Sequence, residues 1–119
     1  MSHVLVIEDD YFTAHLMADL ALEAGATSTT LAATYKSAVA AADVVPPDVI
    51  VSEVDLPDGL GPNACSEIRA EHGDVPTIFV TGSPSGCGPC SYATAILPKP
   101  IQGSELVDAI RSVVIPLRS

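Results

Sequence analysis

The chain has 119 residues, of which 48% are hydrophobic and 17% charged, a balance that suits one domain with a real core and excludes a disordered segment. A net charge of −10 with only five Lys and Arg leaves few cations to neutralise phosphates, so no direct nucleic-acid binding is expected. No apolar run reaches the ~18 residues of a membrane helix, and no basic stretch precedes an apolar one at the N-terminus, so a cytoplasmic protein without a membrane partner is expected.

Val4-Leu5-Val6-Ile7 is a continuous apolar run, the pattern of a strand covered on both faces, and it stops at Glu8-Asp9-Asp10. A helix is expected from Tyr11 to Ala24, with Phe12, Leu16 and Leu20 recurring every four residues, joined by Met17, Ala21 and Ala24, and with Gly25 as its stop. The Thr-rich stretch from Thr27 to Ala33 has the character of an edge strand. Thr34 then caps a short Ala-rich helix, Tyr35 to Ala42, which Val44-Val45-Pro46-Pro47 brings to an end.

Val49-Ile50-Val51 reads as a buried strand ending at Ser52-Glu53, and Pro57-Asp58-Gly59 makes a turn beyond it. A helix from Pro62 to Glu71 faces inward through Ala64, Cys65 and Ile68. Thr77 to Thr81 is a further strand. Gly82 to Cys90 holds too many glycines and prolines for a regular helix. Ala93 to Leu97 forms the last strand, closed by Pro98-Lys99-Pro100, and Ser104 to Val114 a last helix with Leu106, Ile110 and Val113 on one face. Strands alternating with helices predict an α/β fold, a parallel sheet covered on both faces.

In such a sheet the carboxyl ends of the strands form one edge, where ligands bind. Here those ends carry Glu8-Asp9, Glu53, Thr81 and Lys99. Paired carboxylates suit Mg²⁺, a hard cation that takes oxygen ligands. A third carboxylate can attack phosphorus to give an acyl phosphate. A hydroxyl and a lysine can hold phosphoryl oxygens.

This set resembles the receiver domains of bacterial response regulators, the CheY-like family, and the resemblance runs from Val4 to about Val114. It implies a doubly wound, five-stranded parallel sheet of order 2-1-3-4-5, flavodoxin-like, and a single receiver domain over residues 1–119. Glu8 and Asp9 match the family's acidic pair, Thr81 its hydroxyl residue and Lys99 the lysine of its Lys-Pro pair, whose following peptide bond is expected to be cis. The implied metal set for Mg²⁺ is Glu8, Asp9, Glu53 and Asp55, the last through its backbone carbonyl. The implied role is a stand-alone, monomeric or weakly dimeric two-component regulator, not an enzyme beyond Mg-dependent self-phosphotransfer. Its expected partners are a histidine kinase or phosphotransfer protein and a downstream protein.

Three features depart from that pattern. The family's phosphoacceptor is an aspartate four residues before a proline, and four residues before Pro57 stands Glu53. Its extra methylene moves the carboxylate outward by roughly 1.5 Å, so phosphorylation is expected to be impaired, or the charge to mimic a phosphoryl group in part. A switch aromatic normally stands three residues before the lysine, where this chain has Ile96. Tyr92 is the nearest aromatic and reads as a surface tyrosine. The span between Thr81 and Lys99 is short, so the helix expected there is shortened or replaced by a loop. Two other readings stand beside the first: a phosphorylation-independent protein-binding module, and a thiol redox protein using Cys87-Gly88-Pro89-Cys90. Against the second, the chain has no tryptophan.

Overall fold

A computed structural model describes residues 2–82 and 90–113. Its elements are β1 (His3–Ile7), α1 (Tyr11–Glu23), β2 (Ser28–Ala32), α2 (Tyr35–Val44), β3 (Val49–Glu53), a small hairpin of β4 (Asp55–Leu56) and β5 (Gly59–Leu60), α3 (Gly61–His72), β6 (Thr77–Thr81), β7 (Ala95–Pro98) and α4 (Gly103–Val113). Five strands form one parallel sheet in the order β2-β1-β3-β6-β7. This is the doubly wound α/β arrangement that the alternating sequence implies.

β3 and β6 are buried along their whole length, and β1 from Val4 onward, because each face meets helices. Val4, Val6, Val49, Val51, Ile78 and Val80 point to one side, into a core completed by α1 and α4. Leu5, Ile7, Ile50 and Phe79 point to the other, against α2 and α3. Alternation along each strand thus builds two cores on one sheet. The edge strand β2 is half exposed, as its threonines suggest.

The expected apolar face of α1 is buried at Met17, Leu20, Ala21 and Ala24 but not at Phe12 and Leu16. Phe12 and Leu16 lie on its outer face, 80% and 46% exposed, while Ala14, Met17, Ala18, Leu20 and Ala21 are buried. The helix is apolar nearly all round, so spacing alone does not choose the inner face. The alanines win because their small side chains let the helix lie close to the sheet. Elsewhere the local signals hold. Asp10 caps α1 by accepting the Thr13 amide (2.9 Å), Thr34 and Ser37 form a reciprocal capping box on α2, and Pro62 sits in the first turn of α3. The proposed loop in place of a helix falls largely on residues 83–89, and the C-terminal end of the last helix beyond Val113, both outside the described residues.

Cys65 on α3 is fully buried in the second core, and burial pushes its thiol up to about 12. Only the thiolate is a good nucleophile. In the native protein at pH about 8 a maleimide should therefore leave Cys65 unmodified, and unfolding in urea should expose it to quantitative labelling. Peptide mapping reads this directly, and native labelling at the rate of a free thiol would contradict the burial.

Candidate site at the carboxyl edge of the sheet

The strand ends bring Glu8, Glu53, Thr81 and Lys99 together. Glu8 follows β1, held by its own amide donating to the Ala32 carbonyl (2.9 Å). Glu53 ends β3 and Thr81 ends β6. Lys99 follows β7, its amide donating to the Thr81 carbonyl (2.9 Å), and the Lys99-Pro100 bond is cis, as expected. Glu8, Glu53 and Thr81 are buried, at 2%, 8% and 3% exposure. Asp9 and Asp55 are exposed.

The charged groups meet in one network. The Lys99 ammonium lies 3.0 Å from Glu8 Oε1 and pairs with Glu53 Oε1. Glu8 Oε2 accepts the Asp10 amide at 3.1 Å. Glu53 Oε2 accepts the amides of Val54 (2.6 Å) and Asp55 (3.3 Å). All four carboxylate oxygens therefore have donors. Burial raises the Glu8 carboxyl above its ordinary value, and the Asp10 amide and Lys99 pull it back only in part. For Lys99, burial works against the ammonium, but the hydrogen bonds and charges of Glu53 and Glu8 together outweigh it and its pKa is raised.

The sign of the pH dependence follows. A lysine raised in the folded state contributes stability in full below its unfolded value, and loses it as pH rises through the folded one. Stability measured by urea unfolding should therefore show a Lys99-dependent fall starting above pH about 10.5. A Lys99→Met protein with an unchanged alkaline limb would contradict this.

The surroundings of Glu53 were not visible as site features in the sequence. Asp58, in the turn of the β4–β5 hairpin, accepts the amides of Tyr35 (2.7 Å) and Lys36 (3.2 Å) at the start of α2. Those amides, the Tyr35 one foremost, hold its carboxyl below the ordinary value. The loop after Glu53 is thereby tied to α2. Gly61, where α3 begins, donates its amide to the Val54 carbonyl at 2.7 Å, and the Ser52 hydroxyl donates to the Glu53 carbonyl at 2.8 Å. Only Gly61 and Pro62 carry a hint of this in sequence, as the start of a helix just after the turn.

Tyr92 is not the surface tyrosine it reads as. Its hydroxyl donates to the Pro62 carbonyl (2.5 Å), its ring meets Phe79 edge-on (5.9 Å), and the Arg69 guanidinium lies 4.7 Å over it. Ile96, at the family's aromatic position, packs partly buried against the same core. Cys90 is buried and disulfide-bonded. Cys87, its neighbour in the predicted redox motif, lies outside the described residues.

The resemblance to receiver domains implies Mg²⁺ at this edge, since that family generally binds it there. As they stand, the residues do not fit it. The oxygens of Glu8 and Glu53 are taken up by Lys99 and by backbone amides, and among the described residues no group of three His, Cys, Asp or Glu is placed to hold a metal ion. Of the expected set, Glu8 and Glu53 are paired with Lys99, and Asp9 and Asp55 are exposed.

Comparison with known proteins agrees with this architecture. The family model described as the response regulator receiver domain matches residues 4–111. The transcriptional regulatory protein KdpE of Staphylococcus aureus is 38% identical over 80 residues, which are 67% of this chain and 34% of KdpE, so the chain spans about a third of that relative's length. Among solved structures, Vibrio cholerae chemotaxis protein CheY4 superposes with a TM-score of 0.84 at 25% identity, covering 96% of this chain and 99% of that one. The receiver domain of the Erythrobacter litoralis response regulator PhyR gives 0.82 at 28% identity, covering 94% and 88%. With the sheet order, the Glu8–Glu53–Lys99 edge and a family match over nearly the whole chain, the chain belongs to the response regulator receiver domain family.

Proposed function

We propose that this receiver domain works without accepting a phosphoryl group, because Glu53 stands at the phosphoacceptor position and holds the site in one state. The family implies contact with histidine kinases or phosphotransfer proteins. Here such contacts would be made in the fixed state that Glu53 sets. The observation that carries this reading is how the Glu53 carboxylate is engaged. One oxygen pairs with Lys99 and the other accepts two main-chain amides. A carboxylate nucleophile must aim an oxygen in line at phosphorus, and both of these oxygens are turned to donors instead.

The same pairing supports partial mimicry. Glu53 gives Lys99 the anion that a phosphoryl group would give it, but with a charge of −1 against about −1.5 to −2. Leu16 on α1 lines a depression with Thr13, Lys99, Pro100 and Ile101, and Tyr11 and Phe12 of the same helix are exposed; apolar surface this near the site supports contact with a protein partner. The test is direct. Native protein incubated with Mg²⁺ and a small-molecule phosphodonor should keep its intact mass. A gain of one phosphoryl group, mapped to Glu53 or Asp55, would overturn the proposal.

A further inference from the structure

We infer that the disulfide at Cys90 is a redox-sensitive modification site, and that its reduction loosens the Tyr92–Pro62 contact against which α3 begins. The inference goes beyond the reading of Glu53 and does not depend on whether that residue accepts a phosphoryl group.

Of the three cysteines in the chain, Cys65 is free and Cys90 is disulfide-bonded. Within one chain the count leaves Cys87 as the partner, in the sequence Cys87-Gly88-Pro89-Cys90. A bond between cysteines so close in sequence closes a very short loop, so it removes little chain entropy and adds little to global stability. What it fixes is local. Cys90 is 2% exposed and sits in the core with Phe79 and Cys65. Its carbonyl accepts the Ala93 amide (2.9 Å), and the Thr94 amide donates to the Thr77 carbonyl (2.8 Å) as the chain enters β7. Tyr92 lies within that turn. Its hydroxyl donates to the Pro62 carbonyl (2.5 Å), and its ring is held between Phe79 and the Arg69 guanidinium. Pro62 follows Gly61, whose amide donates to the Val54 carbonyl (2.7 Å), and the Val54 amide is held in turn by Glu53 Oε2 (2.6 Å). Direct contacts therefore run from the Cys90 turn to the carboxyl edge of the sheet. Coupling along them needs an element with two arrangements. That element is the Tyr92 hydroxyl bond, made while the turn is anchored and released when it is not.

The chemistry balances with a dithiol as reductant. One of its thiolates attacks the partner sulfur, because the Cys90 residue is buried. The protein's sulfur–sulfur bond breaks, and the Cys90 sulfur leaves with the electron pair and takes a proton. The second thiol of the reductant then resolves the mixed disulfide, closing a cyclic disulfide and releasing the partner cysteine as a thiol. The protein gains two electrons and two protons, and the dithiol loses them. The turn before Tyr92 then keeps its packing but loses its covalent tether.

The test uses the full chain and dithiothreitol, with no metal or phosphodonor present. Before reduction, alkylation after unfolding should label Cys65 alone, and peptide mapping should find Cys87 and Cys90 joined within one chain. Reduction of the folded protein should add two hydrogens to the monomer mass. By NMR, the Asn63 and Val54 amides should then shift, and the Ala93 and Thr94 amides should exchange at least about tenfold faster than in the oxidised protein. Cys87→Ser, which keeps the Cys90 thiol, should match the reduced protein and give no response to dithiothreitol. Oxidised Tyr92→Phe should show the same Asn63 and Val54 shifts, because it lacks the hydroxyl, and reduction should move those amides no further. Asn63 and Val54 amides that stay put on reduction would overturn the inference. So would a disulfide joining two chains, or a bond that dithiothreitol leaves intact in the folded protein.

Discussion

Gly61→Ala should be the most damaging single-methyl change at this edge. A β-carbon on residue 61 would lie 1.9 Å from the Glu53 carbonyl oxygen, 2.6 Å from Ser52 Oγ and 3.0 Å from the Glu53 carbonyl carbon. The first and last of these are backbone atoms of a central strand, so they cannot rotate away as a flexible side chain would. The Glu53 carbonyl is also held by the Ser52 hydroxyl, and the Gly61 amide by the Val54 carbonyl. Alanine gains at most about 1 kcal/mol over glycine in a helix, and less at its first residue. Overpacking against backbone costs about 3 kcal/mol. The clash therefore wins, and the thermal midpoint should fall by roughly 10 °C. The Val54 amide resonance should move with it, because the end of β3 must shift. Gly82→Ala provides the control, since nothing lies within 4 Å of the added carbon, and it should be close to neutral. A Gly61→Ala protein as stable as native would mean that α3 does not start against Glu53 in this way.

Glu53→Asp should change the chemistry more than any other substitution. In-line transfer is sensitive to positioning, with about 1 Å of misplacement costing on the order of 10²-fold. Removing one methylene withdraws the carboxylate by roughly 1.5 Å. The shorter side chain cannot keep both the Lys99 pair and the fold-back onto Val54 and Asp55. With Glu8, Asp9, Thr81 and Lys99 all retained, the aspartate protein should take up a phosphoryl group at least about 100-fold faster than native from the same small donor. Intact mass against time measures this. Glu53→Gln should stay unlabelled while losing the ion pair to Lys99. If the aspartate protein is as inert as native, the block lies elsewhere at the edge. If native protein is labelled at Asp55, the acceptor position has been misplaced.

Much of this protein is written locally. Unbroken apolar runs at Val4–Ile7 and Val49–Val51 announce strands buried on both faces, because only a fully covered strand tolerates apolar residues at every position. The cap at Thr34 and the first-turn proline at Pro62 mark helix starts through side-chain and main-chain geometry that needs no tertiary partner. The placing of Glu8, Glu53, Thr81 and Lys99 at successive strand ends follows from chain order and right-handed crossovers.

Tertiary structure alone decided the rest. Which face of α1 turns inward depended on how closely alanines, rather than Phe12 and Leu16, fit the sheet, and a helix with apolar residues on most of its faces does not encode that choice in its spacing. Tyr92 became a link between α3 and the core because Phe79, Arg69 and Pro62 come together only in the folded chain. The sequence places Glu53, Glu8 and Lys99 at one edge. That the lysine stands between the two carboxylates, and that each remaining oxygen finds an amide, depends on ångström-scale distances between segments up to 91 residues apart. Those distances are set by sheet register and side-chain reach, which no local pattern specifies.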